Sequence, residues 1–325
     1  MTGRRALLAV LGILAAAPLL ANLLGEPYYV SFITRVMIFA LAAVSLDLIL
    51  GFGGMVSFGH AAFFGLGAYV VAVLAHHDIS GTPVLTWPIE VSGTSSAFIS
   101  WPLAALAAAL FALATGWVCL RTSGVNFIMI TLAFAQMLYY ISTSVRTYGG
   151  DEGLTLWQRS TLGPISIEND LAFCYLVLAV LAVVLLGARR VVAARFGVVL
   201  TGSRDNERRM VALGFPIFRY KLAAYVISAS LCGLAGALVA NQTEFVSPTF
   251  LHWARSGEIL VMVILGGIGS LVGPVIGAAV LLLLEEVLSD LTQHWQIVLG
   301  PILLLVVLFA RRGFYGLLVR GSPHG

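Results

Sequence analysis

Apolar runs close to 20 residues long follow one another along the chain, separated by short polar or glycine-rich stretches. Runs of that length match the hydrocarbon thickness of a bilayer, so each reads as a membrane-crossing helix. They predict full spans at about 6–24, 29–50, 57–76, 101–120, 124–145, 170–188, 219–241 and 296–311. The stretch 257–289 is also apolar but is interrupted by Gly266-Gly267-Ile268-Gly269-Ser270 and by Gly273-Pro274. It is awkward as one helix and short as two complete ones. A broken or re-entrant pair fits, because irregular backbone at membrane depth is tolerated where protein or a cavity surrounds it. The expected fold is an all-α integral membrane protein: a polytopic helical bundle of about eight full spans plus a broken, re-entrant Gly-rich pair, forming one domain over 1–325.

Composition agrees. Of 325 residues, 60% are hydrophobic and 10% charged, against about a quarter charged in soluble domains. Too few charges remain to cover a water-facing surface, and no stretch suits a separate soluble domain. Arg4 and Arg5 followed by an apolar run have the outline of a signal peptide, but the run reaches Leu24 and Ala21-Asn22-Leu23 is a poor cleavage site; an uncleaved first span is expected.

Basic residues orient the chain. With the N-terminus in the cytoplasm, fourteen of the 18 basic residues fall inside: Arg4, Arg5, Arg121, eight within 189–221, and Arg311, Arg312 and Arg320. Both termini are then cytoplasmic only if 257–289 enters and leaves on one face. The outer loops 77–100 and 146–169 are polar and Gly/Pro-rich, either solvated or shaped to dock an external protein. Lys221, the only lysine, lies between Tyr220 and Leu222, so a phosphate-binding Gly-x-x-x-x-Gly-Lys-Ser/Thr loop is absent and any ATP must be used by a partner. Cys119, Cys174 and Cys232 have neither disulfide nor metal spacing and read as small buried hydrophobes. His76-His77-Asp78 sits at a span end and reads as a solvated cluster; no metal site is expected.

Two segments invite helix breaks. Gly51-Phe52-Gly53-Gly54-Met55-Val56-Ser57-Phe58-Gly59-His60 is too rich in glycine for a continuous helix. A helix restarting near Ser57 leaves N–H groups that suit a carboxylate. Gly266, Gly267, Gly269 and Gly273 make the second break, with Pro274 placed to open a helix. Interrupted segments in both halves of a transporter point to a substrate path; the same glycines also permit close helix packing. Asp47 and His60 are the polar groups at membrane depth, candidates for substrate contact or for local pairing. Neither the nucleophile-elbow spacing around Ser57 nor a His-Glu-x-x-His motif is present, so no catalytic residue is expected.

The third segment runs Ser203-Arg204-Asp205-Asn206-Glu207-Arg208-Arg209-Met210-Val211-Ala212-Leu213-Gly214-Phe215-Pro216. Ser203 reads as an N-cap, and Gly214 with Pro216 as a stop. The expectation is a short cytoplasmic helix that docks an ATPase or rests on anionic lipid.

Together the three segments resemble the permease subunits of bacterial branched-chain amino acid ABC importers, of the LivM type, with urea and short-amide permeases as near relatives. Ser45–Tyr69 looks like the family's first signature, Arg204–Gly214 with Arg219-Tyr220-Lys221 like its coupling segment, and Leu265–Pro274 like its second glycine signature. The resemblance covers about 28–315. Asp47 stands where relatives carry Asn, which leaves its role open.

The resemblance implies a non-catalytic transport subunit in the bacterial inner membrane. It implies a heterodimer with a second related permease, two cytoplasmic ATPases that use ATP and Mg, and an external binding protein. No cofactor on this chain and no nucleic acid are implied. It also implies alternating access driven through 189–221, with Arg204, Asp205, Asn206, Glu207, Met210, Ala212, Leu213 and Gly214 at the ATPase. Asp47, Gly53, Gly54, Ser57, His60 and the second glycine segment then lie on the path. A self-sufficient secondary transporter or channel, and an intramembrane enzyme using Ser57 and His60, are the competing readings.

Overall fold

The computed structural model describes residues 3–85, 91–162, 168–291, 294, 297–301 and 313–318. Seven helices among them are long and apolar enough to cross a membrane: α1 (Gly3–Leu23), α2 (Pro27–Leu50), α3 (His60–Ser80), α4 (Ala97–Cys119), α5 (Val125–Ser144), α6 (Asp170–Ala193) and α9 (Ile217–Thr243). Between α6 and α9 lie α7 (Arg195–Asp205) and α8 (Glu207–Ala212). The predicted eighth span, 296–311, is described only at 297–301, which is helical; its remainder and Arg311, Arg312 and Arg320 lie outside the described residues.

The centre of the bundle is α2. Every residue from Val36 to Leu50 is buried, as expected of a helix apolar on all sides. It packs on α1, α6, α9 and the hairpin formed by α10 (Trp253–Gly266) and α11 (Gly273–Leu291). The outer helices show the reverse pattern. Ile13, Leu110, Met129 and Val183 are all more than half exposed, a lipid-facing band that a water-soluble protein would bury.

Small residues bring α3, α4 and α9 together. A Cβ on Gly67 would lie 1.9 Å from Gly233 O, and one on Gly236 would lie 1.8 Å from Phe64 O. Ala104, Ala108 and Ala112 of α4 are fully buried at one-turn spacing. Helices in lipid associate through such close backbone approach, with no hydrophobic drive between them. The small-residue packing foreseen for the glycines is thus realised here, in the body of the bundle.

The segment 257–289 is a hairpin, as its glycines predict. Its arms meet at backbone distance: a Cβ on Gly266 would lie 1.9 Å from Gly273 O, and one on Gly277 would lie 1.9 Å from Met262 O. The tip, 267–272, lies beside Gly51 at the C-terminal end of α2, whereas Glu286 of α11 bonds the Tyr28 hydroxyl at its N-terminal end. Both arms therefore open toward one side of the bundle. Gly313 packs on Gly267 at the tip, so the chain has returned to the side that carries α7 and α8.

On the opposite side, the predicted irregular loops are more ordered than their composition suggests. Strand β1 (Pro83–Leu85) pairs with β2 (Val91–Ser92), and β3 (Leu154–Thr155) pairs antiparallel with β4 (Phe245–Val246). Arg159 pins the second loop through Asp170 (2.7 Å), Glu244 (3.0 Å) and the ring of Phe173. Ser160 N donates to the buried Asn241 Oδ1. Neither short pairing has the strand-length alternation that would mark it in sequence.

Candidate functional site

The three singled-out segments converge on one junction. Asp47, fully buried in the last turn of α2, accepts from Gly269 N (2.7 Å) and Leu271 N (3.2 Å) at the hairpin tip. Gly51 makes this approach possible, because a Cβ there would lie 2.4 Å from Asp47 Oδ1 and 2.5 Å from Gly269 N. The tip is held in an unusual conformation: Gly267, Gly269 and the non-glycine Leu271 all have positive φ, costly for Leu unless its surroundings enforce it. Ser270 staples the turn by donating to Gly267 O (2.8 Å) and accepting from Gly273 N (3.0 Å). Helix α11 starts at Gly273, with Pro274 in its first turn as the sequence predicts.

From the other side Arg204 reaches in. Its Nη1 donates to Gly51 O at 2.5 Å, and its Nε and Nη2 hold Asp205. A guanidinium suits the carbonyl-rich end of α2, where the helix dipole is negative. Gly54, at φ +67°, leaves room for this side chain; a Cβ would lie 2.7 Å from Arg204 Cγ. The chain of contacts runs from α8 through α7 and Arg204 to Gly51, and from there to the hairpin tip.

Ser57 and His60 form a separate cluster. The restart comes at His60, with Gly59 as N-cap, later than the position near Ser57 expected from the glycine pattern. The first-turn donors expected to remain open for a carboxylate are satisfied by side chains. Phe58 N bonds Thr131 Oγ1 (3.2 Å), Gly59 N bonds Ser57 Oγ (3.1 Å), and Ala61 N bonds Ser256 Oγ (2.8 Å). His60 Nε2 lies 2.9 Å from Ser228 Oγ, whose own proton goes to Ser45 O. A hydroxyl has one proton, so His60 donates from Nε2. Ser57 and His60 do not pair with each other, which removes the geometric basis for a hydrolytic dyad.

The segment 203–214 is not one helix. Asn206 breaks it, with φ −157° and ψ 95°, and its side chain accepts from Arg209 N to cap α8. Ser203 is therefore not the N-cap; it is inside α7 and donates to Leu200 O. Asn is an equally good cap, and its position sets the break. Met210 packs on Gly202, where a Cβ would lie 2.9 Å from its sulfur. Gly214 ends the segment at φ +86°. Beyond Ala212, Leu213 and Phe215 join Val211 as exposed apolar side chains next to the exposed Arg208 and Arg209. Glu207 bonds Lys221 Nζ at 2.7 Å.

Several contributors escape the sequence reading. Thr131, Ser228 and Ser256 finish the break before α3; their only signal is a hydroxyl in an apolar run. Arg35 and Arg255 both lie over the Phe39 ring, at 5.9 and 5.4 Å, with Glu258 bonded to Arg255 and Glu285 in electrostatic contact with both arginines. The quartet unites α2, α10 and α11 across some 250 residues of sequence, which no local pattern reveals. The three cysteines are buried and free, and among the described residues no group of His, Cys, Asp or Glu is arranged to hold a metal.

A bundle of apolar spans around a buried central helix, with a glycine hairpin clamped to it and a basic segment reaching the clamp, defines a polytopic integral membrane protein. Residues 28–308 match the family described as "Branched-chain amino acid transport system / permease component", and the chain belongs to that family. It is similar to the high-affinity branched-chain amino acid permease LivM of Salmonella typhimurium, 26% identical over 86% of this chain and 68% of the relative. It is also similar to the autoinducer 2 import permease LsrC of an Enterobacter species, 30% identical over 94% and 85%. The xylose permease XylH of Haemophilus influenzae is 33% identical over 45% and 41%. No solved structure matches. As a family member the chain is a membrane transport subunit, not a catalyst, and works with ABC-type partners.

Proposed function

We propose that this chain is one of two related permeases in a bacterial inner-membrane importer for branched-chain amino acids. Its termini face the cytoplasm, and two ATPases, which alone bind ATP and Mg, dock on the 189–221 segment. An external binding protein delivers leucine, isoleucine or valine to the face carrying β3, β4 and Arg159. Transport proceeds by alternating access, with the two glycine breaks as the moving parts of the path.

The observation that carries this reading is the contact of Arg204 with Gly51 beside the Asp47–Gly269 bond. A push on α8 is transmitted through α7 to the hairpin tip without any soluble linker. In this role Asp47, Gly53, Gly54, Gly266, Gly267, Gly269, Gly273 and Pro274 shape and hold the moving parts, while Ser57 and His60 fix the start of α3. The LivM relative supports an amino acid.

Proteoliposomes containing the assembled transporter test the proposal. With the binding protein outside and ATP supplied to the ATPases, labelled leucine should accumulate, and xylose and urea should not. Accumulation driven by a proton gradient without ATPase subunits would overturn it. Accumulation of xylose in place of leucine would leave an importer with a different substrate.

A further inference from the structure

Beside the Arg204 junction lies a cavity of about 110 Å³, room for several water molecules or a small anionic group at about 10–15 Å³ per water. One wall is polar: Gly54, Thr122, Ser123, Gly124 and Lys221. The other is apolar, with Met55, Phe127 and Ile128. Gly124 heads α5 with positive φ and no side-chain cap, so the positive end of a 20-residue helix lies at the same wall.

Lys221 is the only lysine of the chain, and its side chain is 16% exposed. Its ammonium is held at 2.7 Å by Glu207, which is 51% exposed and opens α8. The acid that neutralises Lys221 therefore belongs to the element on which the ATPase reading places the moving contact.

We propose that this cavity is the exit subsite for the substrate's carboxylate, and that Glu207 and the substrate compete for Lys221. Displacement of α8 withdraws Glu207, and Lys221 takes the carboxylate while the aliphatic side chain rests on Phe127 and Ile128. Return of α8 restores the Glu207–Lys221 pair and expels the substrate to the cytoplasm. The pairing acts as a latch set by the ATPase cycle. This inference rests on the importer reading above and deepens it.

Because Lys221 carries the chain's only side-chain amine, its modification by an amine reagent, quantified by peptide mass spectrometry, reports on the cavity in the whole assembled complex. The expected result is that Glu207→Gln and Glu207→Ala each raise the labelling rate several-fold. In those variants 4-methylpentanoate, which has leucine's side chain and a carboxylate but no amine, should slow labelling at least threefold, and 4-methylpentanol should not. Unchanged labelling in both variants, no protection by the carboxylate, or equal protection by the alcohol overturns the proposal. Protection that appears only when phosphatidylglycerol replaces neutral lipid also overturns it, identifying a lipid phosphate as the ligand. ATP-driven leucine uptake by the unmodified transporter is read in parallel, so an unprotected Lys221 with intact uptake rejects the subsite and leaves the importer standing.

Discussion

Asp47 and Gly269 are joined by a 2.7 Å hydrogen bond between residues 222 positions apart in sequence. The carboxylate uses both oxygens, one for Gly269 N and the other for Leu271 N. Asp47→Ala leaves two N–H groups of the tip unpaired and should destabilise the protein by about 1–3 kcal/mol. Asp47→Asn keeps one acceptor but turns an NH2 toward the second donor, so its loss should be intermediate. Thermal unfolding of the solubilised complex orders the three proteins. Equal stability in all three would show that the carboxylate does not hold the tip.

Glycine substitutions should divide by the space around them. Gly266→Ala and Gly236→Ala place a Cβ 1.9 and 1.8 Å from backbone oxygens and should cost about 1–3 kcal/mol or more. Larger replacements such as Gly266→Leu and Gly53→Leu should abolish uptake. Gly187, in α6, has nothing within 4 Å of a Cβ; Gly187→Ala should leave stability unchanged or raise it by about 0.4–1 kcal/mol. Membrane yield and melting temperature make the comparison, and a tolerated Gly236→Ala would contradict the packing of α3 on α9.

Ser228→Ala removes the acceptor of His60 Nε2 and the donor to Ser45 O. A buried N–H without a partner costs about 1–3 kcal/mol. The expected outcome is a lower melting temperature, with leucine still transported at a temperature where the variant remains folded. A change of transported substrate would instead place His60 on the path.

Arg159→Ala should free the loop around 154–162 while leaving the spans in place. The side chain is 12% exposed and pairs with both Asp170 and Glu244. Limited proteolysis of the solubilised complex should cut within 154–162 faster in the variant than in the parent. Identical cleavage would show that the β3–β4 pairing alone secures the loop.

Much of this architecture is legible in the chain because the bilayer imposes it. Span length, the loss of helix at clustered glycines and the placement of arginine each follow from a local property, and the hairpin 257–289 was apparent on those grounds. What depends on distant partners was not. Ser203 looked like a cap because capping residues are interchangeable locally, yet Asn206 holds the break. The donors before α3 looked open because Thr131 and Ser256, which fill them, lie some 70 and 200 residues away. For Asp47 the sequence allows substrate contact or local pairing; the partners that decide for pairing are backbone N–H groups, which leave no mark in a sequence.

The claim on which the account turns is that force from a separate ATPase reaches the path through Arg204 and Gly51. ATP hydrolysis and leucine uptake measured together in the assembled complex carrying Arg204→Ala test it most directly. The account predicts hydrolysis within about twofold of the parent and leucine moved per ATP reduced at least tenfold, a coupling loss of roughly 1.4 kcal/mol or more. An unchanged ratio of leucine to ATP in a correctly assembled Arg204→Ala complex would contradict it.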